Sequence, residues 1–297
     1  MESELKRKLE RIKKFVKIES LIDGDKNSVK KIRKYYRVNK LAYRKFHSDN
    51  GFMHFRVSKS GKFEDSDTYY QPNVVEKFIP KGGTVVELGS GQGANIFYLA
   101  KKRPDARFTG YDLLPPKVPK KGFDNLRLVK ADYSCMSEVK SESADVVFGI
   151  ETLVHCSDKE KVFAEINRIL KKGGVLVLYD YTTVKEFDEY SDYEKTVIEI
   201  ISKCGACAMI ESDEKWHKYF EKTGYAKISE TDLGKETLPD LHHLMLTASK
   251  IMNKDKRIKF VFRFLPKNLT NNILIGYLGE DSVKEGIFYY KEWIYRK

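Results

Sequence analysis

The chain has 297 residues, of which 41% are hydrophobic and 33% charged, a composition typical of a protein with a substantial buried core. No apolar run approaches the roughly 18 residues that a membrane-spanning helix needs, so none is expected. The net charge is +12, but residues 1–50 alone hold 16 lysines and arginines against 7 acids. Because the excess is local, it argues against a general nucleic-acid-binding surface.

The cysteines and the first residues predict a cytoplasmic protein. The four cysteines form no disulfide framework, and the first residues lack the apolar segment of a secretory signal. Cys204 and Cys207 form a lone C-x-x-C pattern, which suits either a metal or redox pair or two buried thiols. A metal site would need a second pair of ligands, and no Cys or His pair other than His242-His243 lies at suitable spacing. We therefore predict no metal site. The cysteines are Cys135, Cys156, Cys204 and Cys207.

The N-terminal segment is a predicted basic amphipathic helix. Leu5, Leu9, Ile12 and Val16 recur at helical spacing, with lysines and arginines on the other faces. Two interpretations remain open. Residues 1–20 either contact an anionic membrane or an acidic partner, or the helix packs its apolar stripe on the core.

Residues 31–70 are rich in aromatic side chains. Placed before a glycine-rich core, this segment either folds over the cofactor cleft as a lid or packs as an N-terminal cap, and both can hold together. We predict that Tyr43, Phe52 and His54 in this segment bind the acceptor substrate.

Thr84–Ala100 combines a buried strand, a glycine-rich turn and the start of a helix. Such a turn lets a ligand lie against the backbone, and the helix N-terminus offers unpaired N–H groups. Gly89, Gly91 and Ala94 also satisfy the weak dinucleotide fingerprint, so the spacing alone does not separate NAD from S-adenosylmethionine (SAM). Glu87 favours SAM over NAD, because its carboxylate would attract the cationic amine of SAM and repel the pyrophosphate of NAD.

With Gly93, the stretch resembles motif I (E/D-x-G-x-G-x-G) of the class I SAM-dependent methyltransferases. The strand Phe108–Asp112 then ends in an acid that can accept both ribose hydroxyls. By the resemblance, Asp132 and Tyr133 after a third strand lie beside the adenine, and because successive strand ends repeat such signals, SAM is favoured over NAD. The predicted cofactor-binding residues are Glu87, Gly89, Ser90, Gly91, Gly93, Asp112, Leu113, Asp132, Tyr133 and Ile150.

Glu151 and His155 form an E-x-x-x-H pattern after the fourth strand, at 145–150. If this segment is helical, the two side chains lie one turn apart and both face the methyl-transfer cleft. The histidine can then take a proton, and the carboxylate can orient it or stabilise a developing cation. The alternatives are a hydrogen bond to the cofactor or backbone for Glu151 and a buried, satisfied imidazole for His155. We predict both as catalytic acid/base candidates.

Two classes of nucleic-acid methyltransferase do not fit this strand end. The amine-methylating class usually carries [N/D/S]-P-P-[Y/F/W] where this chain has 149–152, and the cytosine C5 class needs a cysteine after a proline, which Cys156 lacks. Nucleic-acid methylation stays a weaker alternative, as do a non-catalytic SAM-binding module and an NAD-dependent reductase.

The pattern of alternating strands and helices predicts a doubly wound, Rossmann-like α/β fold with an N-terminal helical cap and a helical insertion. The resemblance to the class I methyltransferases implies that its sheet has seven strands. Helix Phe163–Leu170, stopped by Lys171–Gly174 before strand Val175–Tyr181, is a frequent late motif of class I methyltransferases. The predicted units are a cap at 1–70, a SAM-binding core at 71–185, a helical insertion at 186–222, and a final unit at 223–297 with a second insertion at about 240–282 and a closing strand.

Beyond the core, the sequence resembles the sterol C-methyltransferases, the family that acts on the side chain of sterols, over residues 35–297. The family's E-A-T-C-H falls on Glu151–His155, but its T-P-M is replaced by Tyr289–Lys291, and its aromatic segment is reduced to Phe46–Phe55. Its other motifs match in order at Tyr179–Tyr181, Thr223–Tyr225, Glu230–Asp232, Arg263–Lys267, Gly286–Phe288 and Arg296–Lys297.

This resemblance implies methylation of a small, apolar, sterol- or isoprenoid-like acceptor at carbon. Alkene attack on the methyl group creates a carbocation, which aromatic faces stabilise by about 0.5–2 kcal/mol each, and a base then removes a proton. The aromatic segment and Glu151 with His155 could supply both. The alternative is N- or O-methylation of a small amine, phenol or lipid headgroup, for which a base suffices.

Overall fold

The computed structural model describes residues 3–22, 33, 38, 50–119 and 121–297. The described strands are β1 (Thr84–Leu88), β2 (Arg107–Asp112), β3 (Leu126–Lys130), β4 (Ala144–Ile150), β5 (Leu170–Thr183), β6 (Ala226–Asp232) and β7 (Phe288–Arg296). The described helices are α1 (Glu4–Lys13), α2 (Glu19–Ile22), α3 (Tyr70–Glu76), α4 (Ala94–Lys102), α5 (Lys159–Ile169), α6 (Asp192–Cys204), α7 (Asp213–Thr223), α8 (Gly234–Met252), α9 (Asp255–Phe264) and α10 (Lys267–Lys284).

The strands form one seven-stranded sheet in the order β3-β2-β1-β4-β5-β7-β6. Strand β7 runs antiparallel to both β5 and β6, and the other pairs are parallel. The carboxyl ends of β1, β2 and β4 therefore meet at one edge of the sheet. The predicted fold class is confirmed.

Alternating side chains of the strands build a core on each face of the sheet. In β1, Val85 packs with α3 and α4 on one face, whereas Val86 and Leu88 pack with α5 and α7 on the other. On this second face Trp216 stacks on Trp293, with ring centroids 4.5 Å apart. The two covered faces explain why the central strand β4 is nearly continuous in apolar residues.

A third apolar cluster joins helices that are far apart in the sequence. Side chains of α1, α6, α8 and α10 pack together, and we call this group the helical layer. In α1, Leu5, Leu9 and Ile12 are fully buried in it, and Lys8 forms a buried ion pair with Asp281. The apolar stripe of residues 1–20 is therefore used inside the protein, as the core-packing interpretation holds, and only its charged face remains for a membrane or a partner.

The helix ends follow from local capping. The Asp158 carboxylate accepts the Lys161 N–H at the start of α5, and the Ser212 hydroxyl oxygen accepts the Lys215 N–H at the start of α7. The expected stop at Lys171–Gly174 lies inside β5, which begins directly after α5, where Leu170 pairs with Ala144 of β4. Gly173 and Gly174 hydrogen-bond with the backbone of Lys297. No described helix has the length and apolar content needed to cross a bilayer.

Candidate active site

A cavity of about 760 Å³ lies between the strand ends and the helical layer. One part, the cofactor half, is lined by the glycine turn and by the residues that follow β2, β3 and β4. The other part, the acceptor half, is lined by side chains of α6, α8, α10 and the start of β7. The size is in the range of small-molecule sites.

The glycine turn joins β1 to α4 at the floor of the cofactor half. A Cβ on Gly89 would lie 1.9 Å from the Thr152 hydroxyl oxygen, so only glycine allows the β4 end to pack against the turn. Gly91 has φ +53° and lines the cavity, and a side chain there would meet only Met53 within 4 Å. This open backbone surface is a cradle that a cofactor can fill.

Asp112 at the end of β2 is fixed by main-chain hydrogen bonds. Its Oδ2 accepts the Gly91 N–H at 2.9 Å, and its Oδ1 accepts the Leu114 N–H at 2.6 Å. Because a carboxylate offers about four lone-pair sites, two directions are left for the ribose hydroxyls of SAM. Burial raises the pKa of Asp112, although both N–H groups oppose that shift. The residues present therefore fit SAM.

The adenine end of the predicted site is more open. Asp132 is exposed and its Oδ1 accepts the Ser134 N–H at 2.8 Å, while the Tyr133 hydroxyl donates to the Thr152 carbonyl at 2.9 Å. Both residues line the cavity. Of the ten predicted cofactor residues, Glu87 and Gly93 do not line it; the others are Gly89, Ser90, Gly91, Asp112, Leu113, Asp132, Tyr133 and Ile150.

Glu87 does not line the cavity, although its buried Oε2 has no hydrogen-bond partner among the described residues. Its side chain is 1% exposed, and burial raises its pKa to about 8. Asn95, which does line the cavity, hydrogen-bonds with Glu87 and, through its Oδ1, with Nε2 of His54 at 3.0 Å. The sequence prediction missed Asn95, although its place in the first turn of α4 was a signal.

Gly93 does not line the cavity either. It is the N-cap residue of α4. It has φ +81°, and a Cβ there would lie 2.5 Å from the Phe97 ring. Its role is to let the backbone turn into the helix.

Glu151 lies directly after β4, where the backbone turns with φ +50°. Its Oε1 accepts the Phe55 N–H at 2.7 Å, and its Oε2 accepts a short hydrogen bond from the Tyr181 hydroxyl. The Tyr290 hydroxyl also hydrogen-bonds to this carboxyl group. Burial raises the pKa of Glu151 to about 8 against these hydrogen bonds, so the carboxyl group titrates near neutral pH.

Aromatic rings surround this carboxyl group. The Phe55 ring centroid lies 5.6 Å from that of Tyr181 and 6.4 Å from that of Tyr290, and the two tyrosine rings lie 5.7 Å apart. All three line the cavity with Glu151. They come from positions far apart in the sequence, and only Phe55 belongs to the aromatic segment that the sequence singled out.

His155 lies on a 3-10 turn, Leu153–His155, rather than on a helix that also holds Glu151. The one-turn helical spacing expected for this pair is therefore wrong, although both side chains line the cavity. Nδ1 of His155 lies 3.0 Å from the Ala206 carbonyl, which can only accept, so this nitrogen carries the proton. Burial lowers the pKa of His155 to about 4, which keeps the imidazole neutral at pH 7.

The acceptor half is mostly apolar, with Thr237, Thr247 and Asn272 as polar side chains of its helices. Among the described residues, its wall has no lysine or arginine. Its apolar side chains are Ile201, Cys207, Ile210, Leu241, Leu244, Ala248, Ile251, Leu265, Leu269, Ile273, Ile275, Val283 and Phe288.

The predicted acceptor-binding residues are only partly described. Tyr43 lies outside the described residues. Phe52 and His54 are buried and line the cavity, with their ring centroids 5.4 Å apart. Both lie near the glycine turn, since His54 contacts Asn95.

Cys204 and Cys207 are both buried, and burial raises the pKa of the Cys207 thiol. Elsewhere, Asp213, His217 and Glu230 bring possible ligand atoms within 4.8 Å of one another. The Lys291 ammonium already contacts Asp213 at 3.0 Å and Glu230 at 2.6 Å, so a cation occupies this position.

Comparison with known proteins agrees with this geometry. A family model described as a methyltransferase domain matches residues 79–224. The sterol 24-C-methyltransferase of Yarrowia lipolytica is 28% identical over 188 residues, which is 58% of this chain and 48% of that protein. The chain thus spans about half the length of this curated relative.

Two solved structures share the fold. The cyclopropane synthase MmaA2 from Mycobacterium tuberculosis aligns with a TM-score of 0.70 at 14% identity, covering 91% of this chain and 98% of that one. The geranyl diphosphate C-methyltransferase from Streptomyces coelicolor A3(2) aligns with a TM-score of 0.63 at 15% identity, covering 90% and 97%. Residues 79–224 thus match a methyltransferase domain, and the fold is that of the class I SAM-dependent methyltransferases.

Proposed function

We propose that this enzyme methylates a small, neutral, apolar acceptor at carbon. The observation that carries the proposal is the position of Glu151, a buried carboxyl group among Phe55, Tyr181 and Tyr290 that lines the same cavity as the apolar acceptor half. When bound, SAM supplies an electrophilic methyl group. The residues around Glu151 suit an acceptor that becomes positively charged as it is methylated.

The carboxyl group can act as both counterion and base. A positive charge on the acceptor favours the ionised form of Glu151, because opposite charges attract strongly in a buried site. Its oxygens can then take a proton from a carbon next to the cationic one, and the electron pair of that C–H bond forms the new double bond. The Phe55 N–H and the Tyr181 hydroxyl orient the carboxylate, and the faces of the three rings supply cation–π stabilisation.

The wall of the acceptor half favours a neutral molecule over an isoprenoid diphosphate. A diphosphate needs cationic partners, and the one described arginine of the cavity wall, Arg33, lies on the cofactor side, where its charge acts on Asp112. An apolar sterol- or isoprenoid-like alkene is instead covered by aliphatic side chains. The sterol methyltransferases among the relatives support the same acceptor class.

The test is methyl transfer from isotope-labelled SAM to a panel of sterols, isoprenoid alcohols, phenols and amines. We expect labelled product with an apolar alkene, and Glu151→Gln should lower its turnover by at least about 100-fold because the amide cannot take a proton. The affinity for S-adenosylhomocysteine should change by less than about two-fold.

Glu292→Gln is the matched control. Glu292 is also buried and also accepts a tyrosine hydroxyl, from Tyr179 at 2.6 Å, but it does not line the cavity. This variant should keep its turnover. Transfer to an amine or phenol with no transfer to any alkene would replace the proposal by N- or O-methylation.

A further inference from the structure

Helix α9 exposes large aromatic side chains on its outer face. Phe260 and Phe264 are 62% and 64% exposed, and their ring centroids lie 5.0 Å apart. Leu265, directly after the helix, is 41% exposed. Three neighbouring apolar side chains of this size on the surface mark an interaction site.

The helix is firmly attached by its opposite face. Ile258 is fully buried in the helical layer, and Phe262 packs against the same cluster. The rings of Phe260 and Phe264 are therefore held outward on a packed element.

Cations flank these rings. Residues 254–267 hold six lysines and arginines against one acid, Asp255, which pairs with Arg11 at 2.8 Å. Lys256 and Arg263 lie on the same side of the helix as the two rings by its 3.6-residue period, and both are exposed. We call Lys256, Phe260, Arg263 and Phe264 the α9 surface.

The α9 surface lies next to the acceptor half. Leu265 lines the cavity and is also exposed, and Leu269, one turn into α10, lines the cavity as well. The apolar acceptor half thus reaches the outside of the protein beside Phe264.

We propose that the α9 surface docks on an anionic phospholipid bilayer. Its rings enter the boundary between headgroups and acyl chains, and its cations meet the negative headgroups. The acceptor half then opens toward the apolar layer from which a neutral acceptor can enter. The docking stands without the proposed function, but the delivery of the acceptor rests on it.

Charge favours a membrane over a second copy of the protein. A symmetric contact between two copies would place the same cations opposite one another and repel. An anionic lipid surface is complementary to them instead. The N-terminal helix α1 is a weaker candidate, because Leu5, Leu9 and Ile12 are buried in the helical layer.

The test is sedimentation of the full-length protein with vesicles of phosphatidylcholine alone or mixed with phosphatidylglycerol. We expect binding to the mixed vesicles, weakened by salt, and little binding to the neutral ones. Phe260→Ser with Phe264→Ser should reduce binding at least about ten-fold. Lys256→Glu with Arg263→Glu should reduce it at least about 20-fold, because each cation near an anionic surface contributes about five-fold.

Matched controls separate this surface from general effects. Ile228→Ser removes another exposed apolar side chain, 41% exposed on β6, and should bind like the wild type. Lys13→Glu with Lys14→Glu makes the same change of charge on α1 and should lower binding by less than about three-fold. Unchanged affinity for S-adenosylhomocysteine shows that each variant is folded, whatever its methylation activity.

Three outcomes would overturn the proposal. If the wild-type protein does not bind the mixed vesicles, the α9 surface does not dock on an anionic bilayer. An equal loss in the α1 charge variant would assign binding to net charge. A dimer that dissociates in the double serine variant, without vesicle binding, would assign the α9 surface to a second copy of the protein.

Discussion

The two halves of the cavity are built by different interactions. In the cofactor half, short-range hydrogen bonds fix the groups, as where Asp112 accepts the Gly91 N–H at 2.9 Å. In the acceptor half, helices meet through apolar side chains, as where a Cβ on Gly279 would lie 3.2 Å from Leu241. Hydrogen bonds demand particular residues, whereas apolar contacts accept many of similar volume. The cofactor half should therefore respond to single polar changes and the acceptor half to changes of volume.

The largest effect is expected for Asp112→Ala. The ribose hydroxyls would lose their acceptor and the Gly91 N–H its partner, so affinity for S-adenosylhomocysteine in calorimetric titration should fall by about 100-fold. Asp132→Ala is the matched control, and because Asp132 is exposed to water its loss should stay within about five-fold. Equal losses would mean that the main-chain hydrogen bonds of Asp112 do not set its role.

A larger side chain in the acceptor half should weaken acceptor binding without changing cofactor binding. Leu244 lines the cavity from α8, and Leu244→Trp should raise KM for a bulky apolar acceptor by about ten-fold while leaving the affinity for S-adenosylhomocysteine unchanged. Leu246→Trp adds the same ring two residues on, where the side chain is 50% exposed, and should leave both values unchanged. A parallel loss of cofactor affinity in Leu244→Trp would show that the halves are not independent.

Two substitutions of His155 can distinguish a role in proton transfer from a role in packing. If its imidazole takes part in proton transfer, His155→Ala should lower kcat by about ten-fold with little change in cofactor affinity. His155→Asn can still donate to the Ala206 carbonyl, so a recovered kcat in that variant would assign His155 to packing and positioning.

The smallest effect is a pH dependence of stability from Glu151. Its pKa in the fold, about 8, lies above the ordinary value of 4.5, so folding favours the protonated form. The stability it contributes is full below pH 4.5 and is lost as the pH rises toward 8. Between pH 5 and 8 the Tm of the wild type should therefore fall by at least about 2 °C relative to Glu151→Gln. Parallel Tm curves would contradict the raised pKa. The pKa values of Glu87 and Asp180 are also raised. Because the wild type and the Glu151→Gln variant both contain these residues, their effects cancel in the comparison.

The sequence by itself determined the sheet and most of the cofactor half. The alternation of strands and helices, the turn Gly89–Gly93, Asp112 at the end of β2 and Asp132 after β3 can each be recognised in a short stretch of the sequence. Their consequences follow from backbone geometry and from the common edge at which parallel strands end. The strand period also held a signal that was not used, since Glu87 shares a face of β1 with Val85, away from Val86 and Leu88.

Only the tertiary structure decided the acceptor half and the surroundings of Glu151. Phe55, Tyr181 and Tyr290 meet around this carboxyl group although more than a hundred residues separate each from the next. The sequence left α1 open between a membrane contact and core packing, and in the structure its apolar side chains pack against α6 and α10. The sequence also gave no sign that α9 would expose the rings of Phe260 and Phe264 to water. Such contacts depend on which interchangeable apolar faces meet across the whole molecule, and no local pattern of residues encodes that choice.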